Sequence, residues 1–137
     1  MRRSMRSCLL FISLLLSVLT SRLYAQTTFP ADGENIRFTA YIEMEKGYVS
    51  GICILHRDGD TVHGSLFNEF GITALDFTYR LERKKVKLHT VMPMMNKWYI
   101  RKVLKKDLRQ LMTGLQNGET TWKDERYHIE YQLTPLL

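Results

Sequence analysis

The alternation of apolar and polar residues changes period twice along the chain. From Ile36 to Met44 it has a period of two, with Phe38, Ala40, Ile42 and Met44 on one side and Arg37, Thr39, Tyr41 and Glu43 on the other. That period predicts a half-buried strand. Lys46-Gly47 turns the chain, and Tyr48 to His56 predicts a second strand, apolar enough to be covered on both faces. Arg57-Asp58-Gly59-Asp60 reads as a hairpin turn, because Asp-Gly tolerates the positive φ that tight turns require. Further strands are predicted at Thr61 to Phe67, Ile72 to Tyr79 and Val86 to Val91, divided by Asn68 to Gly71 and by the charged turn Glu82-Arg83-Lys84-Lys85.

The period then becomes helical. Trp98, Val103, Leu104, Leu108, Leu111, Met112 and Leu115 recur at helical spacing, while Lys102, Lys105, Lys106 and Arg109 fall mostly off that stripe. An amphipathic helix over Met95 to Leu115 is expected, stopped by Asn117-Gly118. The period of two returns at Thr120 to Lys123 and at Tyr127 to Leu133, either side of an Asp124-Glu125 turn. Short sequential strands with tight turns make an antiparallel meander. One long helix with one greasy stripe must cover one face of it. The fold class is therefore α+β: a curved, half-barrel-like antiparallel sheet of about seven strands under one amphipathic helix.

The N-terminus belongs to a different category. Met1 to Arg6 carries three arginines, Cys8 to Leu19 is nearly all apolar, and Leu23-Tyr24-Ala25 offers a small residue for cleavage. This order is that of a secretory signal peptide, and the apolar run is shorter than the ~20 residues a bilayer span needs. Residues 1–25 are expected to be removed, leaving a single β-rich domain over 26–137 in the periplasm. A retained anchor is the alternative.

Removal changes the charge picture. The full chain has Lys+Arg 20 and Asp+Glu 14. Arg2, Arg3, Arg6 and Arg22 lie in the signal segment, so the remainder has 16 positive and 14 negative side chains, a net of +2. That balance argues against a nucleic-acid partner. The distribution is uneven: Arg80 to Arg109 holds eleven positive and two negative groups. This block suits an anionic membrane surface, or it is a solvated hairpin tip and helix face.

Chemical motifs are mostly absent. The sequence contains no phosphate-binding glycine loop, no Cys-x-x-Cys, no His-Glu-x-x-His and no Gly-x-Ser-x-Gly. Cys53 sits in an apolar run and reads as a small hydrophobe. His56 and His63 would face each other across the hairpin, with Asp58 or Asp60 as a third ligand, but a structural metal site wants four; an ordinary exposed cross-strand pair is the alternative. Met92, Met94 and Met95 near His89 raise copper(I), which soft thioethers select; gap-filling is the alternative. No nucleophile–base pair stands out, so neither an enzyme nor a cofactor is expected.

The remaining signal is aromatic and apolar. Phe38, Phe67, Phe77, Trp98, Tyr127 and Tyr131 are expected to point towards the space between sheet and helix. That space is either a filled core or a slot for an acyl chain, since methionine-rich, aromatic walls adapt to such ligands.

Ile36-Arg37-Phe38-Thr39-Ala40-Tyr41-Ile42, Val49-Ser50-Gly51-Ile52-Cys53-Ile54, Ser65-Leu66-Phe67-Asn68-Glu69-Phe70-Gly71 and Leu75-Asp76-Phe77 follow one another in the chain. This succession resembles the outer-membrane lipoprotein carrier and receptor family of the Lol system, over about half of the domain. The resemblance implies an unclosed curved sheet, a helix lid, and a hydrophobic cavity for lipid chains in a binder that is not a catalyst. The chain departs from that pattern: it lacks the extra N-terminal helix and a lipid-anchor site, so no residue role transfers. The expected function is a periplasmic carrier for a lipid or acylated ligand. Phe38, Ile42, Phe67, Phe77, Trp98, Leu104 and Leu108 would line the slot, with Lys102, Lys105 and Arg109 at its rim. The alternatives are a solid-core module that meets an envelope protein, and an extracytoplasmic copper or zinc handler.

Overall fold

The computed structural model of the chain describes residues 28–136, so the expected signal peptide lies outside the described residues. Five strands come first: β1 (Asn35–Met44), β2 (Gly47–Asp58), β3 (Thr61–Asn68), β4 (Thr73–Arg80) and β5 (Lys85–Val91). The helix α1 (Trp98–Gln116) follows, then β6 (Thr121–Asp124) and β7 (Ile129–Pro135). The sheet order is β5-β4-β3-β2-β1-β7-β6, and every pairing is antiparallel. It is a curled half-barrel with α1, the one helix among the described residues, against it.

Each hairpin is set by its turn. Asp58 pairs with Thr61 across Gly59-Asp60, with Gly59 at φ +60. This register places His56 opposite His63. The remaining pairing is not between sequence neighbours: β7 returns beside β1, with Ala40 opposite Leu133. That return puts β1 inside the sheet and β6 at its far edge. The helix lies between β5 and β6 in sequence and packs against both of them. Since these are the two edges of the sheet, α1 spans the open side of the half-barrel.

The concave face is the core. Phe38, Ala40 and Ile42 of β1 are buried, as the alternation predicts, together with Ile129, Tyr131 and Leu133 of β7. Leu104, Leu108, Leu111, Met112 and Leu115 fill it from the helix side. The helix ends in a hydrogen-bonded turn in which Gly118, at φ +85, donates to the Leu115 carbonyl, and Glu119 N–H to Gly114. The expected stop at Asn117-Gly118 is thus the observed one.

One strand departs from expectation. β2 is covered on one face only: Val49, Cys53 and Leu55 are buried, whereas Tyr48 and Ile52 are exposed. Its apolar run spans both faces, but α1 covers only the concave one.

Curvature has visible causes. The β3–β4 and β4–β5 ladders shift register at Leu66/Phe67 and at Asp76/Phe77, and such bulges increase local twist. At Gly64 the Phe77 ring occupies the place of a side chain: an added Cβ would lie 2.2 Å from it. Gly64→Ala is therefore expected to lower stability by about 1–3 kcal/mol through overpacking, read from the urea midpoint. Adding Phe77→Leu should recover part of that loss, because the clash is with the ring itself.

Candidate functional site

The expected slot is occupied by the protein itself. Phe38, Ile42, Phe77, Leu104 and Leu108 do converge between sheet and helix, and all five are buried. The void left among Ala40, Ile42, Cys53, Leu66, Phe77, Leu108 and their neighbours is about 20 Å³, room for about one water molecule. These side chains form a packed core, and the space between them is not a channel.

Three of the aromatic side chains expected to point into this space do not. Phe67 lies on the convex face opposite Ile52, because inward Val62, Gly64 and Leu66 put every odd residue of β3 outside. Trp98 is 76% exposed. It stands six residues before Leu104, which on a helix leaves it about 120° from the buried stripe. Trp98 instead heads an outward row with Lys102, Lys105 and Arg109, at spacings of four, three and four residues. Tyr127 is exposed in the β6–β7 turn.

An opening does exist at one end of the half-barrel. Its volume is about 430 Å³, within the usual range of small-molecule sites. Met44 and Gly47 bound it from the β1–β2 turn, Ile100 and Val103 from the first turns of α1, and Tyr127 and Ile129 from the β6–β7 turn. Met94 and Tyr99 lean over it, and Lys46, Lys97 and Glu45 supply its charged rim. The helix starts here at Lys97 without a side-chain cap and without an acidic residue in its first turn. An end lacking both supports is the least secured part of a helix.

Behind this mouth lies a buried polar cluster. Asp107 is 1% exposed and Asp124 is 7% exposed. The Tyr131 hydroxyl donates to Asp107 Oδ2 at 2.8 Å. Asp124 Oδ1 accepts the backbone N–H groups of Arg126 and Tyr127, both at 3.1 Å, and so shapes the β6–β7 turn. Asp107 Oδ1, Asp124 Oδ2 and Trp122 Nε1 are buried with no partner at ordinary hydrogen-bond geometry. Burial pushes the Asp107 carboxyl up to about 7, helped by Asp124 and opposed by the Tyr131 and Trp122 donors. Burial also raises Asp124, but the neighbouring Asp107 and the two backbone N–H groups outweigh it, and Lys106 adds to them, so Asp124 sits below its usual value. Asp107 is thus the carboxyl biased towards its protonated form and Asp124 the one biased towards its ionised form. Asp107 stands on the helix and Asp124 on the edge strand β6, so the pair clasps α1 to the sheet.

Other candidates are distributed elsewhere. Met95 is in the core, Met92 packs against it, and Met94 is at the mouth. His56 meets Asn35, and His89 meets Thr78 at 3.1 Å. Among the described residues no three His, Cys, Asp or Glu side chains gather as metal ligands. Burial pushes the Cys53 thiol up to about 12, which makes it unreactive. No described helix is long and apolar enough to cross a membrane.

The clasp carries a definite pH signature. Asp107 has a raised folded value, so its contribution is complete below the ordinary carboxylate range and is lost as the pH rises to about 7. Asp124 has a depressed value, so its contribution is lost as the pH falls through that range and below. Asp107→Asn supplies a permanent donor and cannot ionise. Its urea midpoint is expected to fall less than that of the parent protein between about pH 5 and about pH 8. Equal falls in the two proteins would refute a raised Asp107 carboxyl.

No family model, curated protein or solved structure matches the chain.

Proposed function

We propose that the protein is a non-catalytic binding protein for a lipid or acylated ligand, exported to the periplasm by a cleaved signal peptide. The observation that carries this reading is the apolar mouth of about 430 Å³ where the helix begins. Its walls are Met44, Ile100, Val103 and Ile129, which offer an alkyl chain adaptable apolar surface without directional bonds. Lys46 and Lys97 at the rim suit an acidic headgroup. The Lol-type resemblance supports the same reading, since it implies a curved sheet with a helix lid. It differs in where the chain enters: the ligand sits at the end of the half-barrel, above a core that is already filled.

A second reading rests on that filled core. A void of about 20 Å³ makes the body of the domain a solid scaffold. Ile52, Phe70 and Ile72 are exposed outside it, where an envelope protein could dock.

Titration of the purified protein with a fluorescent long-chain fatty acid separates the two. Saturable binding is expected, together with acyl species in a solvent extract. Ile100→Glu, which puts a charge into the apolar wall, should weaken binding roughly tenfold or more without unfolding the protein. A folded parent protein that binds no fatty acid and yields no acyl species would leave the solid-core interaction module as the function.

A further inference from the structure

A second concavity lies apart from the mouth, along the outer face of β3, β4 and β5, with Lys105 of α1 reaching it at the β5 edge. Its volume is about 970 Å³, and it is lined by Arg80, Arg83, Lys85, Lys87 and Lys105, with His63 and His89. Its one carboxylate is Asp76, which accepts a hydrogen bond from Ser65 at 2.7 Å.

The register explains how these cations come together. Arg80 stands directly opposite Lys85, and Thr78 stands between His63 and Lys87. The two rows are two residues apart along the strands, about 7 Å. Arg83 comes from the turn that joins β4 to β5, and Lys105 from the exposed row of α1. Like charges placed directly across a ladder are destabilising. Among the described residues the only ion pair is His128 with Glu45, at 3.9 Å. Five cations therefore converge on one groove, and among the described residues no carboxylate stands within ion-pair distance of any of them.

We infer that this groove binds a ligand bearing two or more phosphate groups. Two observations select that class. The cations are spread over two cross-strand rows, the turn and the helix, so a single small anion could not reach them all. Their forked and rotatable N–H donors match tetrahedral oxyanions, with Arg80 and Arg83 able to engage two oxygens at once. The inference is independent of the apolar mouth, which shares no lining residue with this groove.

Calorimetric titration of the purified protein with tripolyphosphate tests it. Saturable binding is expected, weakening as salt is raised, and inorganic phosphate should bind less tightly. The Lys85→Glu/Lys87→Glu protein should lose roughly tenfold or more in affinity. Arg37→Glu/Lys123→Glu makes the same change in net charge outside the groove, and its affinity should stay near that of the parent. Vesicles of cardiolipin, whose headgroup bears two phosphates, in phosphatidylcholine form a second arm. Groove-dependent vesicle binding would place the phosphates in a lipid headgroup, and tripolyphosphate binding alone would place them in a soluble ligand. Equal losses in both double variants would overturn the site in favour of general charge attraction, as would no binding to either probe by the folded parent protein. The fatty-acid titration reads the mouth separately, so failure of one site is distinguishable from failure of the other.

Discussion

A curled sheet has one concave face and two edges, and a single helix must serve all three. The buried stripe from Leu104 to Leu115 meets Phe38, Ile42, Phe77 and Tyr131 across the concave face, while the flanks of α1 reach β5 and β6. Each fully buried leucine contributes about 1.5–3 kcal/mol. Most of the stability of a helix in a protein comes from the packing of its amphipathic face, so the stripe supplies most of the reason for α1 to form. Further ties hold it in place: Tyr79 donates to Gln116 at 3.3 Å near the C-terminal end, and Tyr131 to Asp107 in the middle. The first turn has no equivalent.

That distribution of support decides where binding can happen. With the interior filled to stabilise the fold, recognition moves to places where the packing ends. The mouth lies at the uncapped start of α1, and the basic groove lies on the outer face of β3, β4 and β5, which the helix does not cover. Local opening is easiest where few buried contacts and few satisfied hydrogen bonds hold an element. The buried carboxyl pair sits between these two regimes. It joins the secured middle of α1 to the turn that carries Tyr127 to the mouth, so the charge of the pair and the shape of the opening share one set of atoms.

Much of this was legible along the chain. The alternation in β1 and β7 named the core-facing residues, and the Asp-Gly and Asn-Gly pairs marked a hairpin turn and the helix end. Five of the seven apolar residues expected to line a slot do share one space, but as core. Phe67 and Trp98 were misplaced for different reasons. The apolar character of Phe67 suggested the interior, while the pleat of β3 had already committed Leu66 to it. Trp98 lies close to the helix stripe in sequence but not in angle. The clasp left a signal that was missed: Asp107 is an acid at a stripe position, three residues after Leu104 and four before Leu111.

The amino-acid order by itself determined the elements, their turns, the faces of most strands and the presence of one covering helix. Those properties follow from backbone periodicity and local turn chemistry, which act over a few residues. Tertiary structure alone decided that the slot is full, that Asp107 meets Asp124, that a mouth opens between three distant turns, and that Lys105 joins the cations of the β4–β5 hairpin. Each depends on how closely the helix seats on the sheet and how far the sheet curls. Those distances emerge from side-chain volume summed over the whole core, and no short stretch of the chain encodes them.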